Sequence, residues 1–408
     1  MKRIIIVNNG TLPLPAVKGG AVETLIDLLV NENEKRGCFH FEVYSIFDEE
    51  AMNASRKYRY STFHFVKIGS FRYKMKHLFT RIFNALCNRL GGYYHSYPLH
   101  KQIVNDVNKA PDEYTAILLE GSGLDACFLK KRTRLPIIQR IHNVPFRPMR
   151  KFDKQSAQCT DLYLGISKYI CDVLKKEEGN YCSNIELLYN SIPFDRFNRI
   201  VDEKEILDLR KNLGFDKTDF VVMFSGRLRE YKGVKELLMA IEKCKEYSSI
   251  KLLVVGSHIF SSNQKTDFIE SLTPVVERLG DKVKFTGFVK YEDIYKYYKV
   301  ADICSFPSTW EEPFALTCLE GITCGKPVVI TESGGMPEIV NEQCAVVVPN
   351  DNWLADNLAH VFVNLSKDRD LISKMGIAAK KRAELFSPEK QYNRFVELIN
   401  KHIKCTTY

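Results

Sequence analysis

Between Ala51 and Asn105 the chain contains no Asp or Glu. That excludes a mixed-charge solvated surface over the whole stretch. None of the 12 cysteines forms a C-x-x-C pair, which excludes the common zinc and thiol-redox spacings. No G-x-G-x-x-G follows a strand, so the glycine fingerprint of a nicotinamide dehydrogenase is missing. Long apolar runs are missing too. The opening MKRIIIVNNG has four consecutive apolar residues before Asn8, too few for a signal peptide or for a bilayer span of about 20 residues. These absences lead us to expect a cytosolic, reducing location. Cys304, Cys318, Cys324 and Cys344 lie within apolar stretches, as reduced core cysteines do.

What remains is an ordinary globular composition with a basic balance. The 408 residues are 45% hydrophobic and carry a formal net charge of +9. Such a length suggests about two or three domains, and the charge favours anionic partners without choosing among them. Strand and helix signals alternate. RIIIV, FEVYSI, YTAILLE, PIIQRIHN and LYLGIS read as strands, with a helix from about Ala21 to Glu34. The pattern restarts at FVVMFSG and continues through KLLVVGS, VKFTGFV, DICSFPS, PVVIT and CAVVVP. Alternation of this kind predicts an α/β chain of two Rossmann-like, doubly wound parallel sheets with a cleft between them. YNSIPFDRF, residues 189–197, is the expected linker.

Three segments carry chemistry. In FSGRLREYKGVKELLMA, Arg227 and Lys232 lie between a strand ending at Gly226 and a helix beginning near Val234. Cations in a strand-to-helix loop suit a phosphate; two solvated surface charges are the alternative. In WEEPFALTCLEGITCGKPVV, Pro313 disfavours a helical Glu312. Phe314, Ala315, Leu316 and Thr317 would start a helix with free amides, and Glu320 would follow one turn later. Its carboxylate could hold a ribose diol, with Glu312 on a second sugar. The alternatives are an acid at a helix N-terminus and a core-edge acid paired with Lys326. In the N-terminal half, Gly19 and Gly20 close a loop ahead of a helix and permit close backbone approach. His142 ends a strand, and Ser167 and Asn190 are weaker candidates of the same kind. Asp368–Arg369–Asp370 reads as a solvated turn, not as a metal site.

Together these residues resemble glycosyltransferase family 4, retaining nucleotide-sugar transferases of the GT-B fold. The E-x-F-G-x-x-x-x-E pattern is matched by Glu312, Phe314, Ala315 and Glu320. G-R-L…K-G is matched by Gly226, Arg227, Leu228, Lys232 and Gly233, and G-G-x-P-E by Gly334, Gly335, Pro337 and Glu338. The loop LPLPAVKGGAVE looks like members that build bacterial surface polysaccharides and capsules. The resemblance implies that Arg227 and Lys232 bind the donor diphosphate and Glu320 the ribose. Glu312 and the Phe314–Thr317 backbone would take the sugar and phosphate, Gly20 the phosphate from the other domain, and His142 would lie near the reacting centre. It implies a hexosyltransferase with no metal and no cofactor, a UDP-sugar as the favoured donor, and a saccharide or lipid-linked acceptor. The expected division is 1–193 for acceptor binding, 194–384 for the donor, and 385–408 as a helix returning to the first domain. Ala315 stands where the pattern has Gly, so a methyl group is expected to crowd the sugar or the phosphate. An epimerase or hydrolase on the same fold, or a catalytically silent coat or binding protein, are the rival readings.

The acid-free stretch adds one expectation. Residues 56–90 carry nine Lys or Arg among aromatic and aliphatic residues. Basic residues near an anionic bilayer each contribute about 1 kcal/mol, so a peripheral, interfacial helix is expected. A helix packed in the domain and a nucleic-acid patch are the alternatives; no nucleic-acid motif accompanies the stretch, and no nucleic-acid partner is expected. Liposome co-sedimentation tests the membrane reading: the bound fraction should rise with anionic lipid content, and binding indifferent to it counts against the idea.

Overall fold

The computed structural model describes residues 1–8, 12–67, 98–120, 125–143, 157–178, 184–256 and 266–403. They form two compact units. One comprises Met1–Ser191 with Pro388–Tyr408, the other Ile192–Ser387.

The first unit holds a seven-stranded sheet. Its strands are β1 (Lys2–Val7), β2 (Phe39–Ile46), β3 (Ser61–Val66), β4 (Ala116–Glu120), β5 (Ile137–Ile141), β6 (Leu162–Gly165) and β7 (Ile185–Leu187). The order is β3-β2-β1-β4-β5-β6-β7, and all neighbours pair parallel. Strand periodicity sends alternate side chains to opposite faces, and here both faces are covered. Ile4 and Ile6 join a core with Phe39, Phe41, Phe395 and Leu398. Ile5 and Val7 join a second core with Leu99, Ile103 and Val107. This is why β1 reads as a continuous apolar run rather than an alternating one.

The second unit repeats the plan with β8 (Phe220–Ser225), β9 (Ile250–Val255), β10 (Val283–Gly287), β11 (Ile303–Phe306), β12 (Val328–Thr331) and β13 (Ala345–Val348). Their order is β10-β9-β8-β11-β12-β13, again with every pair parallel. In each sheet the strand order reverses beside the first strand, between β1 and β4 and between β8 and β11.

The chain ends on the helix Pro388–His402, which packs in the first unit. Tyr392, Phe395, Leu398 and Ile399 are buried there. The Tyr392 hydroxyl donates to Asn33 Oδ1 at 2.6 Å. Asn33 in turn pairs with both the N–H and the C=O of Phe39. Arg394, Lys401 and His402 meet Glu186 on β7.

Several sequence expectations need correction. Ser61–Val66 is the edge strand β3 and not part of an interfacial helix, because its aromatic and β-branched residues alternate with period two. Residues 68–90 of that stretch lie outside the described residues. Asp368 lies exposed in the connection between two helices and has a further role there: its Oδ1 accepts from the Leu371 N–H at 2.8 Å and caps the helix Arg369–Ala383. Not every cysteine is reduced. Cys304, Cys318, Cys324 and Cys344 are free and buried, but Cys127 and Cys159 form a disulfide with Cα atoms 5.1 Å apart. They lie 32 residues apart in sequence, a pairing that topology brings about and no local spacing encodes. Among the described residues, no helix is long and apolar enough to cross a membrane.

The terminal helix yields a stability prediction. Phe395 is fully buried, with its ring 5.8 Å from Phe39 and 6.4 Å from Phe41. Phe395→Ala should cost about 3–5 kcal/mol in the first unit. Urea denaturation followed by a probe in that unit measures it, and a loss under about 1 kcal/mol would show that the helix is a passive appendage.

Candidate functional site

In doubly wound sheets ligands bind beyond the carboxyl ends of the strands, where the strand order reverses. In the second unit that position belongs to the loops after β8, β11 and β12. The β8 loop opens at Gly226, whose N–H donates to Val255 O at 3.0 Å. Arg227 follows, exposed, with no ion-pair partner among the described residues. Gly233 ends the loop at φ 74°, and a Cβ there would run into the backbone carbonyl of Pro307. A left-handed backbone and close approach together require glycine at this position. The Thr309 N–H donates to Tyr231 O at 3.0 Å, which ties the β8 loop to the β11 loop.

Glu312 is the hub of the β11 loop. It is 5% exposed, and one oxygen, Oε1, collects three donors. Lys232 Nζ forms an ion pair with it. Ser308 Oγ donates at 2.9 Å and Trp310 Nε1 at 3.0 Å. Its backbone is held from the other side: the Gly335 N–H donates to Glu312 O at 2.7 Å. Gly334 has φ 54°, and a Cβ there would press on the Glu312 backbone. The G-G-x-P-E segment therefore works as the floor under Glu312. A buried carboxylate is costly unless paired, and Lys232 supplies the pair.

The helix Leu316–Thr323 starts just beyond. Its first bonds to Ala315 O come from Cys318 and Leu319, at 3.1 and 3.2 Å. The N–H groups of Leu316 and Thr317 come before these bonds and meet no backbone acceptor among the described residues. Ala315 has φ −83° and ψ 95°, a conformation open to any L-residue. Its methyl costs no backbone strain where the family pattern has Gly. Phe314 packs on Phe386, with ring centroids 6.0 Å apart.

Glu320 is buried on the inner side of this helix. Its Oε2 accepts from the Tyr298 hydroxyl at 2.9 Å, and Tyr291 also donates to it. Arg196 stands over the Tyr291 ring at 4.5 Å. Lys326 is not its partner, because Lys326 Nζ donates to the carbonyls of Lys299 and Ala301. Burial raises the Glu320 carboxyl from 4.5 to about 7, against the lowering effect of both tyrosines and Arg196.

The remaining candidates lie in the first unit. Gly19 and Gly20 have φ 75° and 103°. A Cβ at Gly20 would collide with the Glu23 carboxylate, so an acid lies where a phosphate was expected. His142 follows β5, and its Nε2 lies 2.6 Å from Glu120 Oε2. Glu120 is buried beside Arg140, which donates from Nη2 to Asn190 Oδ1 at 2.8 Å. Burial pushes Glu120 up, but Arg140 and His142 outweigh it and hold the carboxyl below its ordinary value. Ser167 Oγ accepts from the Ile170 N–H at 3.1 Å, which makes it a helix cap. Glu120, Arg140, Ser308 and Trp310 were missed in the sequence. A lone acid ending the apolar strand YTAILLE was a legible signal for Glu120; none existed for the others.

The raised Glu320 carboxyl has a pH consequence. Between about pH 4.5 and 7 the folded protein holds this proton and the unfolded chain does not. The associated stability is full below that window and is lost as pH rises through it. Asp27, raised by burial from 3.8 to about 6, acts with the same sign. Glu320→Gln should therefore gain stability relative to the wild type as pH goes from 5 to 8. Urea midpoints measured across that range check it, and a constant difference between the two proteins contradicts it.

Residues 205–382 match the family Glycosyl transferases group 1. An uncharacterised glycosyltransferase of Methanocaldococcus jannaschii, MJ1607, is 29% identical over 238 residues, which cover 53% of this chain and 56% of that protein. The spore coat protein SA of Bacillus subtilis is 23% identical over 347 residues, 83% of each chain. Among solved structures, Anabaena HepE in complex with UDP and glucose has a TM-score of 0.72 at 19% identity, covering 98% of this chain and 99% of that one. The chain thus has the GT-B fold, and residues 205–382 in its second unit are similar to glycosyl transferases group 1.

Proposed function

We propose that the protein is a retaining, metal-independent glycosyltransferase. It transfers a sugar from a nucleotide-sugar donor, a UDP-sugar by preference, to a saccharide or lipid-linked acceptor in surface polysaccharide synthesis. The observation that carries this reading is one group of residues at the β8–β11 reversal point. There the exposed Arg227, the ion-paired Lys232 and the unaccepted amides of Leu316 and Thr317 occur together. Such a group suits a diphosphate: cations and helix amides each stabilise it, and each charge-assisted bond contributes about 1.5–3 kcal/mol. Support also comes from the structural neighbour crystallised with UDP and glucose.

In this reading Arg227 and Lys232 stabilise the leaving diphosphate as the glycosidic bond breaks. The diphosphate oxygen accepts the proton of the incoming hydroxyl, and no enzymic nucleophile is needed. Glu312 holds sugar hydroxyls, and Glu320 holds the ribose once its tyrosine hydroxyls re-pair. Within the first unit, the contact with Glu120 orients the His142 ring.

The test is acceptor-dependent transfer from a panel of nucleotide sugars, preceded by thermal-shift screening, since a tight ligand raises the melting temperature. Arg227→Ala and Lys232→Ala should each lower turnover by about 10²–10³-fold while keeping the wild-type far-UV circular dichroism. Near-wild-type transfer in Lys232→Ala together with Glu320→Gln would falsify the site. Donor hydrolysis or epimerisation without transfer would favour the rival enzyme reading, and no turnover with intact nucleotide binding would favour a silent binding protein.

A further inference from the structure

Glu312 is held by one oxygen only. Lys232, Ser308 and Trp310 all donate to Oε1, while Oε2 accepts no hydrogen bond among the described residues and is not sealed off. A carboxylate has about four acceptor positions over its two oxygens. Three donors more than fill the two positions of Oε1 and leave those of Oε2 without a partner among the described residues. Trp310 is central to this arrangement. Its N–H reaches Glu312, its ring lies 5.6 Å from Lys232 Nζ, and it packs against Tyr231 with centroids 5.0 Å apart. The same indole thus touches both members of the ion pair. A lysine stem and a glutamate have several rotamers each, so an ion pair alone does not choose which carboxylate oxygen it uses. A planar N–H donor anchored by ring packing, together with the short Ser308 side chain, does choose.

We infer that Trp310 and Ser308 are positioning residues. They fix the Glu312 carboxylate through Oε1, so that Oε2 is presented as an oriented acceptor for two hydroxyls of the transferred sugar. The inference rests on the donor reading given above, and it adds how sugar is told from bare nucleotide. Lys232 and the helix amides serve the diphosphate, present in both UDP and a UDP-sugar. Only Glu312 Oε2 is reserved for the sugar. Removing the indole N–H should therefore weaken the sugar contribution and spare the nucleotide.

The chain has two tryptophans, and Trp353 is 68% exposed, so two indole N–H signals can be resolved by NMR and assigned with Trp353→Phe. The Trp310 indole proton should exchange slowly and shift in Glu312→Gln, with Trp353 unaffected. Exchange as fast as that of Trp353 overturns the lock whatever the protein binds. Calorimetry with UDP and UDP-glucose, and with GDP and GDP-mannose in parallel, then compares wild type with Trp310→Phe and Ser308→Ala. We expect the preference for nucleotide sugar over nucleotide to fall about tenfold in Trp310→Phe, with nucleotide affinity held within about twofold. An equal loss for both ligands means a merely structural tryptophan, and no change in either means a dispensable one; each overturns the proposal. If Trp310→Phe does not fold, Ser308→Ala carries the same comparison. A protected indole in a protein that binds none of the four ligands removes the donor reading, and with it the sugar half of the proposal.

Discussion

A parallel strand can reach its parallel neighbour only through a crossover, and that constraint fixes where chemistry can sit in this protein. Every strand-to-helix connection emerges at one edge of its sheet. Where the order reverses, the crossovers on either side diverge and leave that edge open. In the second unit the opening lies between β8 and β11, and the loops that flank it carry Arg227, Lys232 and Glu312. Lys232 and Glu312 are eighty positions apart in sequence and are brought together by the strand order. In the first unit the same reversal, between β1 and β4, gathers Gly20, Glu23, Glu120 and His142 near strand ends.

Buried charge follows from that placement. Glu312 and Glu120 are both nearly inaccessible and are treated alike: each is paired with a cation, and each also takes a hydrogen bond or close contact from a ring nitrogen. Glu320 is treated differently. Tyrosine hydroxyls donate to it and the Arg196 charge adds the weaker pull, so burial wins and its proton is held to about pH 7. The difference is between full charges in contact and neutral donors in contact.

Much of this was legible in the sequence. Continuous runs such as RIIIV and FVVMFS marked doubly covered strands, and the glycine pairs marked the loops that need them. β3 was less legible, because its alternation lies inside a basic stretch whose charge suggested another role. The short β7 has three residues, too few to show a period. Within the site, residue types at strand ends were readable but partners were not. Nothing in WEEPFALTCLE says that Trp310 turns back to Glu312, since that depends on where Tyr231 stands. Nor could the sequence say that Lys326 is spent on backbone carbonyls while tyrosines meet Glu320.

The terminal helix has a consequence for biosynthesis. The second unit is an insertion in the first, which begins at Met1 and is finished only by Pro388–Tyr408. During translation the inserted unit is complete before the surrounding one. The first unit must wait with Phe39, Phe41 and Leu188 lacking the cover that Tyr392, Phe395 and Ile399 provide. Exposed apolar surface of that kind is what chaperones bind and what aggregates. A premature stop ahead of Pro388 would thus leave the second unit whole and strip the first unit's core of its cover.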